Sequence, residues 1–184
     1  QFIFSQYDIF TVFFMVLGLY FYVRGGLWKF ALSFGVAATF KYHALLFFLV
    51  LLVLREKKIR NLIKYAVAMA LPLMIEVLPN IGNIYFKRNV LGFGVLKFVQ
   101  KPFTIGFFDG INLVAVVAAF MLVWAYQKKA KDNRELFSWG IFLCVGMSFA
   151  IFGFSSWNPQ WLLMLVPFLV LNIFMNENGN LLVM

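Results

Sequence analysis

Long apolar runs separated by short basic clusters are the feature that most restricts how this chain can fold. The runs are Ile9 to Val23, Leu27 to Leu54, Asn61 to Leu78, Ile111 to Tyr126, Leu136 to Phe154 and Trp161 to Phe174. With 64% hydrophobic and only 12% charged residues in 184, the chain has more apolar surface than one water-soluble core of its size can bury. A bilayer is the solvent that suits it, and a backbone in lipid satisfies its own hydrogen bonds as helices. We therefore predict an all-α fold, a polytopic transmembrane helical bundle.

Three basic clusters lie between the apolar runs and carry most of the net charge of +9. They are Arg24 and Lys29; Arg55, Lys57, Lys58, Arg60 and Lys64; and Lys128, Lys129, Lys131 and Arg134. Cytoplasmic loops of membrane proteins carry an excess of Lys and Arg, so we expect all three clusters on the cytoplasmic side. Because the cations do not gather in one patch, the lipid bilayer is the expected partner and nucleic acid is not.

The run from Leu27 to Leu54 has a basic cluster at each end. Both clusters can be cytoplasmic only if the run leaves the cytoplasmic face and returns to it. Its 28 residues exceed the roughly 20 that one crossing needs, so we predict two short helices that meet at Lys41-Tyr42-His43. This hairpin brings the total to about seven membrane helices and puts its tip on the extracytoplasmic side.

We interpret residues 1–184 as a single transmembrane domain and as a fragment of a larger protein. The chain begins at Gln1 without an initiator Met, and its last residues, Leu181 to Met184, look like the start of another apolar segment. Residues 79–110 combine many aromatic rings with Lys and Arg, a mixture typical of an external segment that lies in the membrane interface. The single Cys144 excludes a disulfide framework.

Few polar residues are expected at the extracytoplasmic end, and ionisable groups near membrane depth are costly enough to be functional candidates. Asp8, in Ser5-Gln6-Tyr7-Asp8, immediately precedes the first apolar run. It is either an N-cap that accepts from free backbone amides or a carboxylate that faces a cavity and orients a hydroxyl or a metal ion. Both interpretations stay open.

Lys41 and His43 at the predicted hairpin tip also allow two interpretations. They form either a snorkelling Lys and a hydrogen-bonded His at a turn, or a cationic corner for a phosphate with His43 as donor or proton carrier. Glu76, between two prolines, is either a protonated structural acid or a site residue. Asp109-Gly110 is typical of a turn.

The string Ser155-Ser156-Trp157-Asn158-Pro159-Gln160-Trp161 is the most distinctive in the chain. Its Trp residues belong either to an aromatic belt at a helix entry or to a pocket where rings stack on a sugar and amides bind its hydroxyls. The sequence contains no paired Cys/His metal set, phosphate-binding glycine loop or nucleophile elbow.

Several of these strings resemble the GT-C superfamily of membrane glycosyltransferases, and most closely its family 87 type. They are Gln6-Tyr7-Asp8 at a helix start, Arg24-Gly25-Gly26, the stretch from Gly35 to His43 before a second apolar half and a basic loop, and Trp157-Asn158-Pro159-Gln160-Trp161. The resemblance spans most of the chain with short, degenerate motifs.

The resemblance implies transfer of a sugar, such as mannose in this family, from a polyprenyl-phosphate donor on the extracytoplasmic face. It implies that Lys41 and His43 bind the donor phosphate, and that Gln6, Trp157, Asn158 and Gln160 bind sugar or acceptor. The family's general base lies in a loop after a preceding first helix, which this chain is expected to lack, so Asp8 is only a provisional catalytic residue. A divalent metal requirement, the acceptor and the oligomeric state stay open.

Two other classes compete with this interpretation. A transporter or lipid flippase subunit carries polar groups on interrupted helices near the bilayer midplane and often shows inverted repeats. No repeat is evident in this sequence, and its polar groups are predicted at one end. The third alternative is a non-catalytic membrane scaffold in which the polar residues are only caps and belts.

Overall fold

The computed structural model describes residues 7–87, 113–154 and 159–175, and every regular element in these ranges is helical. The helices are α1 (Tyr7–Val23), α2 (Leu27–Phe40), α3 (Ala44–Arg55), α4 (Ile59–Val77), α5 (Ile84–Phe86), α6 (Leu113–Gln127), α7 (Asn133–Phe154) and α8 (Val166–Met175). Short 3-10 segments cover Leu78–Asn80 and Pro159–Met164. The all-α prediction is confirmed for the described part of the chain.

The run predicted to form a hairpin is divided at the expected residues. α2 ends at Phe40, Lys41 is extended at φ −147° and ψ 117°, and α3 begins at Ala44. The chain reverses there, because the ring of Phe48 in α3 stacks on that of Phe30 in α2 at 5.0 Å between centroids. Residues 18 apart in one continuous helix would lie about 27 Å apart, so α2 and α3 are antiparallel.

The core lies around α2 and α3. α2 packs between α1 and α4, while α3 contacts α6 and α7, and α8 packs on α7. Phe30, Phe34 and Phe48 form a buried aromatic cluster where α2 meets α3. Phe47, on another side of α3, stacks on Phe168 of α8 at 5.2 Å. α3 therefore links the α1–α2–α4 layer to the α6–α7–α8 layer.

The α1–α2 turn ends one helix and starts the next within three residues. The Gly26 amide donates to the Phe21 carbonyl and the Gly25 amide to the Tyr22 carbonyl, the two bonds of a Schellman C-cap. Gly25 has φ +80°, which an L side chain rarely adopts. The Arg55 guanidinium donates to the Tyr22 carbonyl as well, so the end of α3 lies beside this turn.

α2 and α4 approach each other most closely at Gly35. A Cβ at this position would lie 2.9 Å from the Pro72 ring carbons and in collision with the Met69 carbonyl oxygen. Pro72 is inside α4, where its ring removes one backbone donor and adds bulk. A residue without a side chain in α2 therefore lets the two helices pack together at the proline.

The described bundle has two chemically different ends. At the basic end, Arg55 lies beside the α1–α2 turn, and Lys57 donates to the Ala125 carbonyl near the end of α6. At the opposite end, which we call the Asp8–Lys41 end, the start of α1 meets the tip of the α2–α3 hairpin. The two ends are therefore separate in the structure, whereas their placement on opposite sides of a membrane stays a prediction.

Two of the described helices are long and apolar enough to cross a membrane by length and composition, Ile59–Asn80 and Asn133–Phe154. Five further apolar helices are shorter, with 10 to 17 residues. The structure thus has seven apolar helices in its described ranges, but a bundle of seven crossings stays a prediction. Of the predicted interfacial segment 79–110, the structure describes only the part up to Lys87, where Ile81, Ile84 and Tyr85 are exposed.

Candidate functional site at the Asp8–Lys41 end

An ion pair between a buried carboxylate and a partly exposed ammonium joins the start of α1 to the hairpin tip. Lys41 Nζ lies 2.9 Å from Asp8 Oδ1, and the exposed fractions of the two side chains are 25% and 3%. Asp8 lies in the first turn of α1, which begins at Tyr7, and its carboxylate faces the hairpin. The Lys41 side chain therefore points to Asp8. Both residues lie at one end of the bundle, as the sequence predicted.

The Asp8 carboxylate has capacity to accept hydrogen bonds. The contact with Lys41 lacks hydrogen-bond geometry, and within the described ranges neither oxygen of Asp8 receives a hydrogen bond. Buried carboxylate oxygens in proteins nearly always have donors, and an exception calls for an explanation. One explanation is that these oxygens bind the hydroxyl or amine of another molecule.

Thr11 lies one helical turn after Asp8 and faces the same side of α1. Its residue is fully buried, and its hydroxyl has no hydrogen-bond partner among residues 7–87, 113–154 and 159–175. A threonine inside a helix usually donates to the carbonyl of the preceding turn. Thr11 therefore adds a second polar group near Asp8 whose hydrogen-bonding capacity is unused within these ranges. The sequence analysis did not identify it, although its i+3 spacing from Asp8 was a usable signal.

His43 occupies the N-terminal boundary of α3. The residue is buried, with 7% of its surface exposed, and it lies within electrostatic range of both Lys41 and Asp8. Its ring accepts no capping hydrogen bond from the backbone amides at the start of α3. The predicted grouping of Lys41 and His43 with Asp8 at one end is therefore present in the structure, whereas their predicted roles are not tested by it.

Glu76, in the last turn of α4, also lies at the Asp8–Lys41 end. Its carboxylate is within electrostatic range of Tyr42 at the hairpin tip, because α4 runs alongside α2 and ends at Val77. The Glu76 carbonyl accepts a hydrogen bond from the side chain of Asn80. Acidic and basic side chains from α1, α4 and the hairpin tip thus share one end of the bundle.

The remaining predicted site residues are only partly described. Gln6, Trp157 and Asn158 lie outside the described residues, as does Asp109. Gln160 belongs to the 3-10 segment Pro159–Met164, and this segment packs against α1. The backbone that carries Gln160 therefore contacts the helix that carries Asp8.

The arrangement contains groups that can bind the phosphate and hydroxyl groups of another molecule. Among the described residues, no three His, Cys, Asp or Glu side chains come close enough to hold a metal ion. The Lys41 ammonium can bind phosphate oxygens as a point charge, while Asp8 and Thr11 can accept from or donate to hydroxyl groups.

The basic end contains a second set of polar contacts that the sequence analysis did not predict. The Glu56 carboxylate accepts hydrogen bonds from the backbone amides of Lys57 and Lys58 and from the Asn61 side chain. Partial burial, the largest influence, raises the pKa of Glu56, but these hydrogen bonds together outweigh it and hold the pKa below its ordinary value. The contacts order the α3–α4 connection and are structural.

Comparison with known proteins identifies no relative: no protein-family model, curated protein or solved structure matches the chain.

Proposed function

We propose that the chain is part of a multi-pass membrane protein that transfers a sugar from a polyprenyl-phosphate donor on the extracytoplasmic face. The observation that carries the proposal is the site formed by Asp8, Thr11 and Lys41. The partly exposed Lys41 ammonium lies 2.9 Å from the Asp8 carboxylate, and the Asp8 oxygens and the Thr11 hydroxyl have no hydrogen-bond partner in the described ranges. Such a site offers partners both to a phosphate and to sugar hydroxyls. The sequence resemblance to GT-C glycosyltransferases supports the reaction class.

Membrane embedding is supported by the exposed surface of the bundle. Only 11% of the apolar window in Ile59–Asn80 is buried within the protein, whereas the core helix of a soluble protein is mostly buried. Large apolar side chains on other helices are exposed too, including Phe120 at 71% and Phe149 at 61%. Many exposed apolar side chains on several helices are typical of a surface that lipid or a protein partner covers.

In the proposed reaction, a hydroxyl oxygen of the acceptor attacks the anomeric carbon of the sugar. The bond from that carbon to the phosphate oxygen breaks, and the polyprenyl phosphate leaves with the bonding electrons. Lys41 stabilises the charge that develops on the phosphate, as a preorganised cation does in a site shielded from water. The acceptor proton passes to a general base, for which Asp8 is the provisional candidate.

Sugar transfer is tested with the full-length protein reconstituted in liposomes. We expect label from radioactive polyprenyl-phosphate mannose to enter an acceptor extract, and we expect Lys41→Gln to reduce this transfer at least tenfold. Lys129→Gln, an exposed lysine at the basic end, is the matched control and should transfer at the wild-type rate. Circular dichroism and elution profile establish that each variant is folded. Unchanged turnover in folded Lys41→Gln would exclude Lys41 from the site, and absence of transfer by the wild type with several lipid-linked sugars would refute the reaction.

The length of the hairpin helices favours transport as a second candidate function. α2 has 14 residues and α3 has 12, which correspond to about 21 Å and 18 Å, both below the roughly 30 Å of a hydrocarbon core. Short helices that meet at charged residues within a membrane are typical of transporter substrate sites. Uptake of a labelled anionic solute into sealed proteoliposomes, in the absence of any sugar transfer, would favour this function instead.

A further inference from the structure

A pocket opens at the basic end of the bundle, far from the Asp8–Lys41 site. It has a volume of about 460 Å³ and lies where the end of α1, the start of α2 and the first turns of α4 meet. Its floor includes the backbone of Gly25 and Gly26, and its walls carry two cations and four aromatic rings. We call it the basic pocket.

The cations of the basic pocket are held against aromatic faces. The Arg24 guanidinium lies 4.9 Å from the centroid of the Tyr20 ring, and Lys29 Nζ lies 5.5 Å from that of Phe21. Lys64, beside the pocket, lies 4.9 Å from the centroid of the Trp28 ring. Cation–π contacts of this kind hold the cations against rings near the pocket without neutralising their charge.

The start of α2 lies at the basic pocket. α2 starts at Leu27 and runs for 14 residues, its N-cap Gly26 has no side chain to accept from the first-turn amides, and its first turn has no acidic residue. The partial positive charge of this helix end is offset by the partial negative charge of the C-terminal end of α1, which ends at Val23, so the positive charge of the pocket comes from Arg24 and Lys29. In the described part of the chain, neither Arg24 nor Lys29 forms an ion pair with a carboxylate. The nearest loop acid, Glu56, is engaged by its own loop.

The walls indicate what kind of anion fits. Trp28 and Tyr20 are about half exposed, and Trp28 meets Tyr65 edge to face at 5.7 Å. Trp and Tyr with this combination of a polar tip and apolar ring are enriched where lipid headgroups meet acyl chains. One turn beyond Trp28 along α2, Leu32 is exposed, so an apolar path continues from the pocket in the direction of the bundle centre.

We propose that the basic pocket binds the phosphate headgroup of an anionic phospholipid. The phosphate lies among Arg24, Lys29 and the start of α2, and an acyl chain follows Trp28 and Leu32. This inference depends on the proposed membrane embedding but not on sugar transfer. The pocket is separate from the proposed donor site, since the two lie at opposite ends of α1 and α2.

The binding of lipid is tested by tryptophan quenching in nanodiscs. The full-length protein is placed in phosphatidylcholine that contains a small fraction of brominated phosphatidylglycerol, or the same fraction of brominated phosphatidylcholine. We expect the anionic brominated lipid to quench more strongly, and we expect the difference to disappear in Trp28→Phe. Because Trp28→Phe changes no charged residue, this comparison remains valid even if a variant with altered charge folds poorly.

Charge variants measure the contribution of the cations. Each basic side chain near an anionic surface contributes about a factor of five in affinity, so Arg24→Gln with Lys29→Gln should weaken phosphatidylglycerol binding about thirtyfold. Lys129→Gln with Lys131→Gln removes the same charge from exposed positions outside the pocket and should weaken binding clearly less than the pocket pair does, because these lysines do not contact the bound headgroup.

Three outcomes would overturn the inference. Equal quenching by the two brominated lipids would show that the pocket does not select an anionic headgroup. Equal weakening by the two charge pairs would show non-specific attraction to the membrane. Displacement of the quenching lipid by millimolar inorganic phosphate would show a site for a small free anion rather than a lipid. Failure of the protein to remain in nanodiscs would instead refute the membrane embedding on which the inference depends.

Discussion

Replacement of both members of the Asp8–Lys41 pair should destabilise the protein less than the sum of the two single replacements. Lys41→Met leaves the Asp8 carboxylate, which is 3% exposed, with no opposite charge, and breaking a buried pair from one side costs about 3–5 kcal/mol. Asp8→Asn leaves Lys41, whose side chain is 25% exposed and can extend towards water, so its cost should be smaller, about 1–2 kcal/mol.

The coupling energy between the two residues follows from their separation. Two unit charges 2.9 Å apart attract by about 6 kcal/mol at an effective dielectric constant of 20. The partial exposure of Lys41 reduces this figure, and we expect a coupling of about 2–4 kcal/mol. The double variant should therefore be more stable than the sum of the two single losses implies.

A double-mutant cycle measures this coupling. Reversible unfolding in mixed micelles, followed by circular dichroism, gives the free energy of unfolding of the wild type, Asp8→Asn, Lys41→Met and the double variant. The exchanged pair, Asp8→Lys with Lys41→Asp, should recover part of the stability. Effects that add to within about 0.5 kcal/mol would show that the two side chains do not interact, and the proposed site would lose its central contact.

Three further substitutions test particular contacts. Thr11→Val should leave the free energy of unfolding unchanged or raise it by up to about 2 kcal/mol, because a buried hydroxyl without a partner is removed. The same substitution should reduce sugar transfer. Unchanged transfer would show that Thr11 is not part of the site. Gly35→Ala should lower the free energy of unfolding by about 1–3 kcal/mol, since the new Cβ collides with the Met69 carbonyl. The control is Gly153→Ala, where a Cβ has no atom within 4 Å. In thermal melts, the control should leave the melting temperature unchanged or raise it. Glu56→Gln should lower the free energy of unfolding by less than about 1 kcal/mol at pH 7. Because the pKa of Glu56 is lower in the folded protein than its ordinary value of 4.5, the carboxylate stabilises the fold above pH 4.5. This stabilisation should disappear as the pH falls through the folded-state pKa. A loss that does not diminish as the pH falls below 4.5 would contradict this assignment.

The backbone plan could be predicted from the sequence because membrane-like chains follow simple rules of length and charge. The division of Leu27 to Leu54 into two helices followed from the basic clusters at its ends, and the break at Lys41 to His43 agrees with the structure. Helix α4 begins at Ile59, two residues before the predicted run. These features depend on local hydrophobicity and on the sign of loop charges.

The side-chain contacts could not be predicted, because they join residues that are distant in the chain. Asp8 and Lys41 were expected at one end, but nothing in the sequence indicated that they form a pair rather than a helix cap and a snorkelling lysine. The contact of Gly35 with the backbone around Pro72 depends on the distance between two helix axes. The basic pocket likewise depends on the position of α4, which brings Tyr65 to Trp28.

The opposite placement of the two ends is the claim on which the function depends, and cysteine accessibility tests it most directly. In a Cys144→Ser background, which removes the single native cysteine, Tyr42→Cys reports the hairpin tip and Lys129→Cys reports the basic end; both native side chains are exposed. A membrane-impermeant maleimide applied to intact spheroplasts is predicted to label position 42, and position 129 only after permeabilisation. Labelling of both positions from the same side would contradict the account.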